Sequence, residues 1–532
     1  MKTALVGINS KYVHTNLAVR KIRAYLALRG ITATVYEYSG GEELHRVAAD
    51  ILAENYDCIG FSCYIWNIDY VLKLAEIIKT ASPKTRLVFG GPEAWFSPRR
   101  LLDSGFADGI ICGEGETVYE DMASGFFDKI MTGRQLPMEE MPFPYTEDEL
   151  KERGRIFYYE SSRGCPFGCS YCLSSADKGI RYRSAAATLA DIRIFAQHNV
   201  RLVKFIDRTF NSNLPRSKEI LRGLLEIPCD TEFHFEIAAD TVDDEFIEIL
   251  AKFPPGKIRL EAGLQSTNPK TLKAVNRSCN LDKLGKNIKS IIQNTNAILH
   301  LDLIAGLPYE DSESFKQSFN FAFGLNPHEL QLGFLKVLPG TEISRRATEF
   351  GIKNTSYPPY EIISNNYISF SGLSALKDIE AVLDMYHNSG ILKNTEPYIL
   401  KKYETPFDFY SMLAQYFRKK GYLGAPHHRI KLFDFIHDFI NDAVANEYLA
   451  RDFLLSCKGA PAASWMNIGG EPLKKDTITK ILSDDGILKP LPELRAVDKK
   501  QRHKHVRTER LFNMVWLTSY IDKKIVDITP YF

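Results

Sequence analysis

Cys165, Cys169 and Cys172 stand at i, i+4 and i+7 in the segment Arg163-Gly164-Cys165-Pro166-Phe167-Gly168-Cys169-Ser170-Tyr171-Cys172. The same spacing marks one face of a helix, where buried cysteines pack as small hydrophobes. Gly164, Pro166 and Gly168 oppose that reading, because proline breaks a helix interior and glycine weakens one. A glycine-rich loop lets three thiolates converge and leaves backbone N–H groups free for cluster sulfurs. Structural zinc takes four ligands, and no fourth cysteine or histidine lies at finger spacing. Three thiolates on a 4Fe–4S cluster leave one iron open for a substrate or cofactor.

The CPFGCSYC segment resembles the C-x3-C-x2-C signature of the radical S-adenosylmethionine (SAM) superfamily, with Tyr171 as its aromatic residue. The resemblance runs through residues 156–345. It implies SAM at the open iron, cleavage to a 5′-deoxyadenosyl radical, and an external one-electron donor such as flavodoxin or ferredoxin. Phe205–Asn211 resembles the second-strand motif and Phe235–Asp240 the third. Glu261–Ser266 and Asp302–Pro308 resemble the fourth and fifth. The resemblance thus implies SAM contacts from Tyr171, Asp207, Glu236, Glu261, Gln265 and Asp302. Arg277 would pair with the SAM carboxylate.

Two sets of elements must position these residues. In residues 1–135, apolar runs at Thr3–Ile8, Thr32–Tyr36, Cys58–Ser62, Arg86–Phe89 and Gly109–Cys112 alternate with helical patterns at Leu17–Leu28, Glu42–Glu54, Tyr70–Thr80 and Glu116–Ser124. That order predicts a parallel, doubly wound (Rossmann-like) sheet with ligands at the strand carboxyl ends. Small residues gather at those ends, and Asp57–Ser62, Val88–Pro92 and Gly113–Glu116 resemble the cobalamin domains of radical SAM enzymes. The resemblance implies cobalamin contacts from His14, Ser62, Tyr64, Gly90, Gly91, Gly113, Glu114 and Gly115. His14 lacks the aspartate and glycine of the cobalt-ligating D-x-H-x-x-G motif, so it is expected as a pocket contact. Cys58 and Cys63 lie about 16 Å apart on extended backbone, too far to share a second cluster.

Residues 136–155, with Pro137, Pro142 and Pro144, are expected as a linker. Six strand–helix units then follow within 156–350, from Phe157–Glu160 to Leu330–Lys336. They suit a partial (β/α)6 barrel of the TIM type. Residues 351–532 are helix-rich and of unknown role, with Tyr403–Gly421 and Ile430–Leu455 the clearest helices. The basic run Lys499–Arg507 is expected to be solvated surface, with RNA or phosphate binding as its alternative.

The chain of 532 residues carries 67 basic and 66 acidic side chains, so no global field recruits nucleic acid or an acidic membrane. No run reaches a membrane span, and nine cysteines in so long a chain suit a reducing, cytoplasmic setting. The expected protein is an α/β, cobalamin-dependent radical SAM enzyme. It resembles class B methyltransferases, which act on an unactivated carbon or phosphorus centre. Rival readings are radical rearrangement or cyclisation without methyl transfer, a methylthiotransferase, and an iron–sulfur sensor or RNA-binding protein. The substrate is not legible.

Overall fold

Strand β1 (Thr3–Asn9) is buried along its whole length, the mark of a strand covered on both faces. Around it form α1 (Leu17–Leu28), β2 (Ala33–Ser39), α2 (Leu44–Leu52), β3 (Cys58–Ser62), α3 (Ile68–Ala81) and β4 (Arg86–Gly90). Then come α4 (Pro92–Phe96), α5 (Pro98–Asp103), β5 (Gly109–Cys112), α6 (Glu116–Ala123) and β6 (Ile130–Thr132). All pairings are parallel, in the order β2-β1-β3-β4-β5-β6. Val47, Ile51, Val71 and Ile78 pack in one core cluster of this sheet, and Val19, Leu26, Val118 and Met122 in another. The order reverses between β1 and β3, so the loops after them open the crevice where doubly wound sheets bind ligands.

This computed structural model describes residues 1–175, 179–466, 473–511 and 514–531. The chain divides into two units, Met1–Leu373 and Ser374–Phe532. Within the first, the expected linker has structure of its own. Thr146 and Glu149 form a capping box on α7 (Glu147–Lys151), and Arg23 on α1 grips Glu149 at 2.6 Å.

The second sheet contains β7 (Phe157–Tyr159), β10 (Leu202–Phe205), β11 (Glu232–Ile237), β12 (Ile258–Gln265), β13 (Ile298–Ala305) and β14 (Glu329–Phe334). They lie side by side in chain order, all parallel, as a partial barrel requires. Along β12 and β13 every second residue is fully buried and its neighbours only partly so. The buried set is apolar. The other set carries Arg259, Glu261, Gln265, His300 and Asp302, so the strands present a polar face. Strands β8 (Ser162–Arg163) and β9 (Arg181–Tyr182) form a separate antiparallel hairpin. The cysteine loop lies between them.

The second unit corrects two expectations. Ile430–Leu455 is two helices, Arg429–Ile440 and Ala443–Ser456. Asn441 takes φ +43°, and the Asp442 carboxylate caps the next helix by accepting from Ala445 N–H at 2.7 Å. The helix-rich segment also ends in a three-stranded antiparallel sheet, Val506–Leu511, Met514–Ser519 and Lys524–Asp527. In the basic run Lys499, Lys500, His503 and Lys504 are exposed as expected, but Arg502 is buried. Its guanidinium donates to the carbonyls of Leu482, Val497 and Arg495. Among the described residues no helix is long and apolar enough to cross a membrane.

Candidate active site

All three loop cysteines are free thiols, Cys169 buried and the other two partly so. Gly164, at φ +98°, lies so close to the Gly179 carbonyl that a side chain there would overlap it, and this pinches the loop neck. Cys165 Sγ lies 3.7 Å from Thr209 Oγ1, and Cys169 Sγ lies 3.7 Å from Arg277 Nη1. Backbone bonds from Ser170 N–H to Val275 O (2.9 Å) and from Ile343 N–H to Ser170 O (2.9 Å) hold the loop against the barrel. Among the described residues no three metal-binding side chains converge as they would on a single ion. Three free thiols in one loop, with the Thr209 hydroxyl beside Cys165 and Arg277 beside Cys169, are the donor set that a 4Fe–4S cluster would take.

Beside the loop, at the carboxyl ends of the barrel strands, is a cavity of about 310 Å³. Tyr171, Glu261, Gln265 and Asp302 line it together, with Gln331 and Lys336. Gln265 Oε1 and Asp302 Oδ1 are buried without a hydrogen-bond partner among the described residues. Buried acceptors left open in this way suit a ligand that brings donors, and SAM brings an ammonium and ribose hydroxyls. Glu236 lies next to Glu261 in the strand register but is not among the cavity's lining residues.

Electrostatics separate these carboxyls. Burial and the neighbouring Glu261 raise Glu236 to about 7. Burial, then Glu261 and Glu236, raise Asp302 to about 8. Burial would raise Glu261 too, but His234 Nε2 at 3.0 Å and Lys204 Nζ at 3.2 Å outweigh it and hold it at about 2. Lys204, His234 and His300 were missed as site residues. Their signal is polar residues alternating with apolar ones in strands of a buried parallel sheet.

Besides Glu236, two more expected SAM contacts lie outside the cavity lining. Asp207 is fully buried and does not line the cavity. Its carboxylate accepts from the N–H of Ser161 (2.7 Å) and Ser162 (3.1 Å) and from the Ser161 hydroxyl. It therefore shapes the turn that leads into the cysteine loop. Arg277 donates to the Gly263 carbonyl as well as approaching Cys169, so it bridges β12 and the cysteine loop.

At the N-terminal sheet, Gly90, Gly91, Gly113 and Gly115 are all partly exposed at the carboxyl ends of β4 and β5. Gly113 takes φ +84° with open space around it, a cradle that suits close approach by a bulky cofactor. Tyr64 stacks on Trp66 with ring centres 4.3 Å apart, after β3. Three expected contacts are occupied within the protein. Ser62 Oγ accepts from Asn16 Nδ2 at 2.8 Å, which seats α1. His14 Nδ1 lies 2.7 Å from the Tyr158 hydroxyl, and His14 makes a parallel bridge to Ile156. Glu114 pairs with Arg163 and Arg181 of the hairpin. Cys58 and Cys63 are fully buried at either side of an unbroken β3, so they do not serve a second cluster. A larger cavity of about 720 Å³ touches Met1, Tyr56, Asp57 and Arg86, at the edge where the strands begin and away from these loops.

Residues 3–123 match the B12 binding domain family and residues 159–322 the radical SAM superfamily. Residues 348–528 match a family of proteins of unknown function, DUF4080. The chain thus joins a B12-binding domain to a radical SAM domain, and the residues above fit cobalamin, a 4Fe–4S cluster and SAM. It is 26% identical over 406 residues to the cobalamin-dependent radical SAM methyltransferase TokK of Streptomyces tokunonensis, covering 66% of this chain and 58% of that one. It is 24% identical over 445 residues to the 2-(S-pantetheinyl)-carbapenam-3-carboxylate methyltransferase of Streptantibioticus cattleyicolor, covering 72% and 65%. The chain therefore spans less than two thirds of the length of these curated relatives. In fold it is similar to the cobalamin-dependent SAM radical enzyme OxsB, solved with aqua-cobalamin, at a TM-score of 0.60. That likeness has 16% identity and covers 93% of this chain and 81% of that one.

Proposed function

We propose that this chain is a cobalamin-dependent radical SAM methyltransferase acting on an unactivated carbon or phosphorus centre. The observation that carries the reading is the cavity where Tyr171, Glu261, Gln265 and Asp302 meet beside Cys165, Cys169 and Cys172, in a chain that also has a B12-binding domain. A cluster held by these cysteines would supply one-electron chemistry, with an external donor such as flavodoxin or ferredoxin, and cobalamin bound at the N-terminal strand ends would supply a methyl carrier. Cys165, Cys169 and Cys172 hold the cluster, and Arg277 steadies Cys169. Gln265 and Asp302 would receive the SAM donors with their unpartnered oxygens, and Glu236, beside Glu261 in the strand register, would add negative charge behind the cavity wall once ionised. Glu261, fixed as an anion by His234 and Lys204, keeps the mouth attractive to positive charge. Gly90, Gly91, Gly113 and Gly115 admit cobalamin to the strand ends.

The test uses protein loaded anaerobically with cluster and hydroxocobalamin, a one-electron reductant, and SAM labelled with deuterium in its methyl group. Both 5′-deoxyadenosine and S-adenosylhomocysteine should form, the latter only with cobalamin present. S-adenosylhomocysteine at the same rate without cobalamin would refute the methyl-carrier role, and absence of 5′-deoxyadenosine would refute the radical one.

A further inference from the structure

We infer that Glu114 is a positioning residue for the iron–sulfur cluster, through which the N-terminal sheet sets the charge and register of the cysteine hairpin. The inference rests on the reading that Cys165, Cys169 and Cys172 hold the cluster. Arg163 and Arg181 face each other directly across β8 and β9, at the neck of that loop. Like charges opposed on antiparallel strands repel. Here one carboxylate serves both: Glu114 Oε2 lies 2.7 Å from Arg163 Nη1, and Glu114 Oε1 contacts Arg181 Nη2. Arg163 further meets Glu116 at 2.6 Å and Glu160 at 2.8 Å, and Glu160 meets buried Lys21. The three cations Lys21, Arg163 and Arg181 thus balance the three anions Glu114, Glu116 and Glu160.

Glu114 is itself held firmly. It sits in the β5–α6 loop between Gly113 and Gly115, and a side chain at Gly133 would overlap its carbonyl. Arg181 is held from its other side by the Leu136 carbonyl. Arg163 lies two residues before Cys165, so the carboxylate that pins it also places the first cluster ligand against Thr209. The same carboxylate cancels an arginine charge close to the cluster, and net charge is one of the levers on cluster potential.

The test is the cluster's midpoint potential, followed by electron paramagnetic resonance in dye-mediated titrations of reconstituted full-length protein. Glu114→Gln leaves one uncompensated positive charge and should move the potential positive. Arg181→Gln leaves one uncompensated negative charge and should move it negative, and the double variant should return close to wild type. Iron content confirms that each variant holds its cluster. If Glu114→Gln loses its iron, the sign of the Arg181→Gln shift decides. Unchanged potentials, or two single variants shifted the same way as simple loosening would produce, overturn the assignment alone. Wild-type protein that takes up no cluster overturns the cysteine reading and this inference together.

Discussion

Glu236 and Glu261 are register partners on adjacent parallel strands, yet one carboxyl is held at about 7 and the other at about 2. The difference comes from His234 and Lys204, which touch Glu261, while Glu236 has burial and a neighbouring negative charge. Environment thus divides two identical side chains into a fixed anion and a group that titrates near neutrality.

That division has a consequence for stability. Raised from 4.5 to about 7, Glu236 keeps its proton in the folded chain after the unfolded chain has lost one. Its contribution is present in full below pH 4.5 and declines as pH rises to about 7. Glu236→Gln should remove a decline on the order of 3 kcal/mol over that window. Thermal unfolding of the cofactor-free protein between pH 4.5 and 8 measures it, and parallel profiles for the two proteins would contradict the assignment.

Cys165, Cys169 and Cys172 should together account for one cluster. Anaerobic reconstitution should yield about four irons per chain. The triple alanine variant should bind none, by iron assay and by its absorption spectrum. A triple variant that keeps a full cluster would place the ligands elsewhere.

Alanine at Asp302 or at Gln265, whose unpartnered oxygens line the cavity, should weaken SAM by about 1.5–3 kcal/mol, the value of a hydrogen bond to a charged group. The cluster spectrum should remain. Equilibrium binding of SAM to cluster-loaded protein gives the comparison, and unchanged affinity in both variants would move the SAM site away from this cavity.

Cobalamin should bind with no protein nitrogen on cobalt. His14 Nδ1 is already engaged by Tyr158, and burial holds its ring below the ordinary range. Electron paramagnetic resonance of bound cob(II)alamin should lack nitrogen splitting from the protein. Splitting that vanishes in His14→Ala would make His14 a ligand after all.

Much of this architecture was legible because periodicity is local. Strands β3 and β5 and helix α1 cover the same residues as the patterns Cys58–Ser62, Gly109–Cys112 and Leu17–Leu28. Glu261, Gln265, Asp302 and Tyr171 do share a cavity, since strand carboxyl ends converge in any such barrel. The partners of Asp207 and Glu114 were not legible, because a carboxylate's partner is chosen by tertiary packing. Nothing near Asp207 in sequence announces Ser161, and nothing near Glu114 announces Arg163 and Arg181. Ile430–Leu455 read as one helix because its apolar pattern continues across the Asn441-Asp442 break.

Gly263 has no side chain to offer, yet a Cβ there would overlap the Gln265 amide, and its carbonyl receives Arg277. The strand is irregular at this point: Gly263 pairs with Asp302, Gln265 pairs with Leu303, and Gln265 takes φ +68°. Residue 263 is thus a reserved volume into which its second neighbour folds back. Gly263→Ala would therefore behave as a change to two other residues, displacing the Gln265 amide and crowding the arginine that steadies Cys169. The place of the Gln265 amide is thus secured by an atom that glycine lacks.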